Sequence, residues 1–314
     1  TATTVSRVIN NRGYISEGTR KKVYAAMEEM HYQPNELARA FSKQYTNTIG
    51  LIVPHISHPF FIKVISNLES SAAEKGFKLL LCNSKEQPEQ DYLDMCISNR
   101  VAGIVLCSKY VQTREFRKMN IPVVNLERGG DDDTISVQCD NYQGGKLAAE
   151  HLIECGCQHI VCLRGPMKFS SGQQRYQGYE DVCRKYGRKA VWIDCDYDYD
   201  AGLAAAEELI RRYPDTDGIL ASNDMAAMAV YKVLHQNGRR VPEDVQLVGF
   251  DNIEFSRRMT PELTTISQPI EEMGKLAVQM IIHHGEEISY QKENIFDVYY
   301  GVLVMIGLFR LSVL

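Results

Sequence analysis

The chain has 314 residues, of which 44% are hydrophobic and 24% are charged, and its formal net charge at pH 7 is −5. This length predicts two or three domains of an ordinary globular protein, and no apolar run reaches the length of a transmembrane helix. The acidic balance argues against general affinity for nucleic acid. Nine scattered cysteines, mostly inside apolar runs, indicate buried thiols and a reducing, cytoplasmic compartment.

The first ten residues predict an amphipathic helix. One face is apolar at the helical spacing: Val5, Val8 and Ile9. The opposite face carries polar groups of the kind that bind base edges and phosphates: Thr3, Ser6, Arg7 and Asn10. A second helix is predicted after a cap at Ser16. Residues 1–48 hold seven basic and four acidic residues, so a basic head precedes an acidic body, which is typical of a protein that contacts DNA at one end.

From residue 49 onward, short apolar runs alternate with longer amphipathic stretches. The predicted strands are 49–53, 78–82, 103–107, 123–126, 136–139, 159–163, 190–194, 218–221 and 246–250. The predicted helices are 60–75, 90–99, 144–155, 173–186, 201–212, 225–237 and 270–283. Alternating strands and helices indicate parallel sheets covered on both faces, and this number of strands indicates two similar lobes.

Three segments resemble the headpiece of the lac repressor/galactose repressor family: TATTVSRVIN at the start, SEGTR at 16–20 and MHYQPNELARA at 30–40. The resemblance continues through nearly the whole chain. In that family another helix precedes the first segment, so we expect a headpiece whose first helix is missing, either because the sequence is a fragment or because the headpiece lost that helix. The resemblance implies a small all-α helix-turn-helix headpiece at 1–33 and a hinge helix with a linker at 34–48.

The resemblance also implies a periplasmic-binding-protein-like effector domain built from two doubly wound parallel sheets. Its N-terminal lobe is expected at 49–156 plus 270–293, and its C-terminal lobe at 157–269 plus 294–314. The chain would cross between the lobes near Gly156, Gln268 and Asn294. The apolar run after Tyr299 is either a buried final strand or the product of a shifted reading frame.

The DNA contacts follow from the resemblance, which implies a homodimer that places two recognition helices in successive major grooves of double-stranded operator DNA. Composition alone makes 34–48 a linker. In the family this segment folds on DNA and enters the minor groove, with Phe41 here in place of the usual leucine wedge. The residues expected to contact DNA are Ala2, Thr3, Thr4, Ser6, Arg7, Asn10, Thr19, Asn35, Ala38 and Phe41.

The effector site is expected beyond the carboxyl ends of the strands, between the lobes. Their positions after predicted strands and the family resemblance together indicate which residues bind the effector. We expect these to be His58, Phe60, Phe61, Phe169, Ser171, Arg175, Tyr197, Asn223 and Asp251. Aromatic rings suit the C–H faces of a sugar, and charged groups suit its hydroxyls. Simpler roles stay open: Phe61 as a core residue, Asp251 as a turn cap, and Arg175 paired with Glu180 or Asp181. His58 stands where the family commonly has asparagine.

The sequence contains no catalytic motif that we would defend, and we expect no catalytic residues, no metal and no cofactor. The favoured function is a cytoplasmic transcriptional repressor of a carbohydrate-utilisation operon, switched by a small sugar-like effector and without a membrane partner. One alternative is the sugar-binding protein of a transport system. The basic head, the lack of a signal peptide and the cysteines argue against it. A regulator that responds to a purine or to a protein corepressor stays open.

Overall fold

The computed structural model describes residues 1–9, 13–32, 45–85, 89–107, 121–127, 135–284 and 293–302. The helices are α1 Ala2–Ile9, α2 Glu17–Glu29, α3 Pro59–Glu74, α4 Glu89–Ser98, α5 Asn141–Glu154, α6 Ser170–Lys185, α7 Tyr199–Arg212, α8 Asp224–Gln236 and α9 Ile270–Ile282, with a 3₁₀ turn at Glu254–Arg258. The strands are β1 Thr48–Val53, β2 Lys78–Asn83, β3 Gly103–Leu106, β4 Val123–Leu126, β5 Ile135–Cys139, β6 Ile160–Arg164, β7 Trp192–Asp194, β8 Gly218–Leu220, β9 Gln246–Asp251, β10 Thr264–Ser267, β11 Glu293–Phe296 and β12 Tyr299–Val302.

The strands form two six-stranded sheets, which confirms the predicted fold class. The first has the order β11-β5-β4-β3-β1-β2 and is parallel throughout. The second has the order β12-β10-β9-β8-β6-β7 and is parallel except for β12, which pairs antiparallel with β10. The predicted strands all correspond to strands of these sheets, whereas β10 and β11 were not predicted as strands. Strand β12 opens the run after Tyr299, for which a final strand was one of two alternatives.

The central strands of both sheets are buried on both faces, because successive strand residues point into different cores. In β1, Leu51 packs in the core beneath α3 and α9, whereas Ile52 packs in the core beneath α4. In the second sheet, Cys162 packs beneath α5 and α6, and Leu163 packs beneath α7 and α8. The apolar runs of these central strands are therefore continuous, because both of their faces pack against helices.

The first crossing between the lobes was placed near Gly156, and this position is wrong. Helix α5 packs against α6 and against strands of the second sheet, so it belongs to the C-terminal lobe. The crossing lies at Asp140, whose Oδ1 accepts a hydrogen bond from the Gln143 N–H at 2.8 Å and so caps α5. Gly156, with φ +89°, is the turn between α5 and β6 within one lobe.

The later crossings lie at the ends of β10 and β11. Strand β10 belongs to the second sheet and ends at Ser267, while α9 packs against α3 in the first lobe from Ile270 onward. Strand β11 pairs with β5 and β12 pairs with β10, so the chain returns between Phe296 and Tyr299. The predicted crossing near Asn294 is therefore wrong, because Asn294 is still paired with Val137 in the first sheet.

Candidate functional site

The loops that follow the strands of both sheets bring several predicted effector residues together between the lobes. Arg175, on the first turns of α6, lies at the centre of the group and is 8% exposed. Its Nε donates to Asn141 Oδ1 at 2.8 Å, and its Nη1 donates to the Ser222 carbonyl at 3.0 Å. The guanidinium lies 3.6 Å from the centre of the Phe250 ring. Arg175 therefore points into the lobe and does not pair with Glu180 or Asp181 on its own helix.

Asp251 ends β9 opposite this guanidinium. Its Oδ1 is 3.8 Å from Arg175 Nη2 and accepts a hydrogen bond from Gln268 Nε2 at 2.7 Å. Burial raises the pKa of the Asp251 carboxyl above its ordinary value, and the positive charge of Arg175 opposes that rise. The backbone φ of Asp251 is +111°, a region that costs energy for a side chain and is found at functional sites. Asp251 is thus a strained, buried acceptor and not an ordinary turn cap.

Gln268 was not predicted, although it completes this polar group. It is 2% exposed, and its Oε1 is a buried oxygen without a hydrogen-bond partner among the described residues. A buried amide oxygen without a partner costs about 1–3 kcal/mol. The strand-end rule would have selected Gln268 if β10 had been recognised, since Gln268 directly follows that strand.

An aromatic wall forms the C-terminal-lobe side of the cleft. The Tyr197 ring stacks on Phe169 with ring centres 6.5 Å apart and an angle of 15° between the planes. Its hydroxyl lies 3.3 Å from Ser171 Oγ. A Cβ at Gly165 would lie 2.7 Å from the Tyr197 hydroxyl oxygen, so glycine is needed there for this ring position. Asn223 caps α8 and also donates from Nδ2 to the Tyr197 carbonyl at 2.8 Å.

His58 connects the N-terminal lobe to this wall. Its Nδ1 accepts a hydrogen bond from the Phe60 N–H at 3.3 Å and caps α3, so Nε2 carries the proton of the neutral ring. Nε2 then donates to the Tyr197 carbonyl at 2.9 Å, across the cleft. Phe60 and Phe61 are 8% and 7% exposed and belong to the core beneath α3. Their packing favours the core role that had been left open for Phe61, and Phe60 shares it.

Further polar residues around the cleft were missed by the sequence reasoning: Glu127, Asn141 and Asp224. Glu127 follows β4 and accepts a hydrogen bond from the Cys139 N–H at 2.6 Å. Asp224 is 0% exposed; it accepts from the Thr265 hydroxyl at 2.5 Å and from the Ile253 N–H at 2.9 Å. Burial raises the pKa of Asp224 well above its ordinary value. The signal for Glu127 was its position after a predicted strand.

The headpiece residues are placed as an amphipathic helix requires. Thr3, Ser6 and Arg7 are exposed on α1, while Val8 is 1% exposed. Thr4 is half-buried, and its hydroxyl lies 3.0 Å from the Thr1 hydroxyl. The remaining predicted DNA contacts are placed as follows: Ala2 opens α1, Thr19 lies in the first turn of α2, and Asn10, Asn35, Ala38 and Phe41 lie outside the described residues.

The described ranges contain no group of three or more His, Cys, Asp or Glu side chains placed to hold a metal ion. No helix in them is both long and apolar enough to span a bilayer.

Comparison with known proteins identifies the family. Residues 1–35 match "Bacterial regulatory proteins, lacI family", and residues 46–295 match "Periplasmic binding proteins and sugar binding domain of LacI family". The chain belongs to the lacI family. The recognition made from the headpiece segments is confirmed by these two matches.

Individual relatives of this lacI-family chain are similar over most of their length. The ribose operon repressor of Bacillus subtilis is 38% identical over 89% of this chain and 86% of its own length. That of Halalkalibacterium halodurans is 35% identical over 90% of this chain and 86% of its own. A LacI family transcriptional regulator from Enterococcus faecalis, solved with bound ribose, is 30% identical, covers 81% of this chain and 96% of its own, and superposes with a TM-score of 0.73.

Proposed function

We propose that this lacI-family protein is a cytoplasmic repressor of a carbohydrate-utilisation operon and that a ribose-like sugar bound between the lobes switches its affinity for operator DNA. The relatives support the repressor role, because those named above are ribose operon repressors. The exposed polar face of α1, formed by Thr3, Ser6 and Arg7, supports a DNA contact by a headpiece, and a homodimer would present two such faces to a near-palindromic operator. Nine free cysteines support a reducing compartment.

The observation that carries the effector proposal is the buried polar group formed by Arg175, Asp251 and Gln268. It presents a cation, an anion and an amide oxygen that has no partner in the described part of the chain, next to the stacked rings of Tyr197 and Phe169. One sugar hydroxyl would donate to the Gln268 oxygen and another to Asp251, each able to accept from Arg175, and an aromatic ring face would cover the apolar C–H groups. We place the effector there. In this proposal the residues act in binding and in no catalytic step.

Switching requires the effector to have different affinities for two arrangements of the lobes, with a coupling free energy of about 1–3 kcal/mol. The hydrogen bond from His58 to the Tyr197 carbonyl is one contact that must change when the angle between the lobes changes. Tyr197 takes part in both the aromatic wall and this contact. An effector stacked on the ring would therefore act directly on a link between the lobes.

A thermal-shift series tests the effector proposal. The full chain is heated with D-ribose, sucrose or hypoxanthine, each at a series of concentrations. A ligand at about a hundred times its dissociation constant stabilises by about 2.7 kcal/mol, which raises the unfolding midpoint by several degrees. We expect such a shift with D-ribose and none with hypoxanthine.

A matched pair of variants places the binding site. Gln268→Met should remove the D-ribose shift, whereas Gln279→Met, an exposed glutamine on α9, should retain it. A shift with sucrose or hypoxanthine but not with D-ribose would reject the ribose-like effector. An undiminished D-ribose shift in Gln268→Met would reject the site. Operator fragments selected in vitro, titrated with and without the sugar, then test the switch itself.

A further inference from the structure

Lys63, on the second turn of α3, reaches from the N-terminal lobe into the C-terminal lobe. Its Nζ donates to the Asn252 carbonyl at 3.3 Å. The ammonium is partly buried, and burial lowers its pKa below the ordinary value while the charges of Asp251 and Asp224 oppose that shift. Lys63 is not among the residues expected to bind the effector. Its contact with Asn252, the residue that follows Asp251, nonetheless places it beside the proposed effector site.

The C-terminal lobe holds Asn252 as a rigid acceptor for this lysine. Asn252 has φ +50° and directly follows the strained Asp251, so the two residues form a sharp turn at the end of β9. Its N–H donates to the Thr265 hydroxyl at 3.3 Å, and its Nδ2 donates to the Ser267 hydroxyl at 3.2 Å. Asparagine tolerates the left-handed region better than most residues. The carbonyl that meets Lys63 is therefore fixed by the second lobe before the lobes approach.

The charges around Lys63 make the contact depend on lobe closure. Asp251 and Asp224 attract the ammonium from the C-terminal lobe, Arg257 repels it from the same lobe, and Glu272 attracts it from its own lobe. When the lobes separate, Asp251 keeps Arg175, but Asp251 and Asp224 both lose the nearby ammonium, while Lys63 keeps Glu272 and gains water. Loss of a nearby cation is unfavourable for a buried acidic group, so this arrangement favours closure.

We propose that Lys63 is a positioning residue that holds the two lobes together at the Asp251 side of the cleft whether or not an effector is present. It acts through the Asn252 carbonyl and through its charge near Asp251 and Asp224, and it does not need to touch the effector. Because Asp251 is also a proposed effector residue, sugar binding and lobe closure meet at the same carboxylate. The link between sugar binding and lobe closure is the second step of the proposal and rests on the proposed function. The first step, that Lys63 holds the lobes together, does not.

Hydrogen exchange of the full chain without effector tests the first step. We compare the parent with Lys63→Met, which removes the charge, with Lys63→Arg, which keeps it, and with Lys75→Met. Lys75 is exposed at the other end of α3, about 18 Å along the helix, and is the matched control. In Lys63→Met we expect exchange on the order of tenfold faster at 58–64 and also at 251–253 of the opposite lobe. Lys63→Arg and Lys75→Met should exchange like the parent.

The opposite lobe distinguishes lobe contact from a local role in α3. Faster exchange at 58–64 with unchanged exchange at 251–253 would overturn the proposal. Faster exchange throughout both lobes, with a lower unfolding midpoint, would also overturn it, because Lys63 would then support the fold in general.

Calorimetric titration with D-ribose tests the second step. If the parent binds, Lys63→Met should bind about tenfold more weakly, within the range of ordinary allosteric coupling, and equal affinities would overturn the link between closure and binding. If the parent does not bind D-ribose, the proposed effector fails. The exchange data still decide the role of Lys63 in that case.

Discussion

Replacing Arg175 with methionine should destabilise the C-terminal lobe as well as weaken effector binding. Methionine keeps a flexible apolar side chain against the Phe250 ring but supplies no donor. The Asn141 Oδ1, at 2.8 Å, and the Ser222 carbonyl, at 3.0 Å, both lose a charged donor in a buried site. Asp251 loses its cation at 3.8 Å but keeps Gln268. Removing one partner of a buried ion pair costs about 3–5 kcal/mol, and we expect a loss in that range.

Thermal and urea unfolding of the full chain measure this loss. For a lobe of this size the free-energy change corresponds to a midpoint lower by about 10 °C. Arg184→Met is the control, since Arg184 lies on the same helix with a 73% exposed side chain and should unfold like the parent. Without Arg175 the pKa of Asp251 rises further, so the deficit should grow as pH rises above the ordinary aspartate range. An Arg175→Met midpoint equal to the parent's would refute this reasoning.

Three further outcomes are expected. His58→Ala removes the cap of α3 and should cost about 1 kcal/mol of stability in urea unfolding. His58→Asn keeps a capping side chain and should recover most of that stability. Equal losses of stability in the two variants would contradict the capping role of His58. The raised pKa of Asp224 means that the folded state binds the proton more tightly than the unfolded state. The parent should therefore lose stability relative to Asp224→Asn as the pH rises above about 4, the ordinary aspartate pKa. Parallel pH profiles of unfolding would contradict it. Arg7→Ala should weaken operator binding by about 1–3 kcal/mol in fluorescence anisotropy, and unchanged affinity would remove Arg7 from base recognition.

The sequence predicted the buried strands well because their signal is local. In a strand such as β1, successive residues pack into the two cores on opposite faces of the sheet, so apolar residues follow one another along the chain. Strand β10, Thr264–Ser267, is fully buried yet carries hydroxyls at three of its positions, so no apolar run marks it. Its hydroxyls instead bind polar groups of the lobe, as Thr265 does with Asp224. A strand whose polar groups are satisfied by long-range partners cannot be recognised from hydrophobic pattern alone.

The same contrast holds for the candidate site: residues marked by nearby sequence were predicted, and residues positioned by distant contacts were not. Arg175, Tyr197 and Asp251 were named because the family resemblance points to this set and because they lie at or after the ends of predicted strands or in the helix that follows. Gln268 was missed because it follows the unrecognised β10. Asn141 was missed because the first crossing had been placed near Gly156, after α5, whereas Asn141 is the first residue of that helix. Whether a helix packs on one lobe or the other is decided by contacts that no single sequence shows.

The two missed residues change how the site is connected to the rest of the molecule. Asn141 follows the first crossing between the lobes, and Gln268 lies at the second. Arg175 donates to Asn141, lies opposite Asp251, and Asp251 accepts from Gln268, so one chain of polar contacts runs from one crossing to the other through the cleft. A sugar that replaces a hydrogen-bond partner of Arg175 or Asp251 would directly alter contacts of the segments that cross between the lobes. In such an arrangement the coupling needs no long pathway through the core, because the proposed binding residues and the segments that must bend are already in contact.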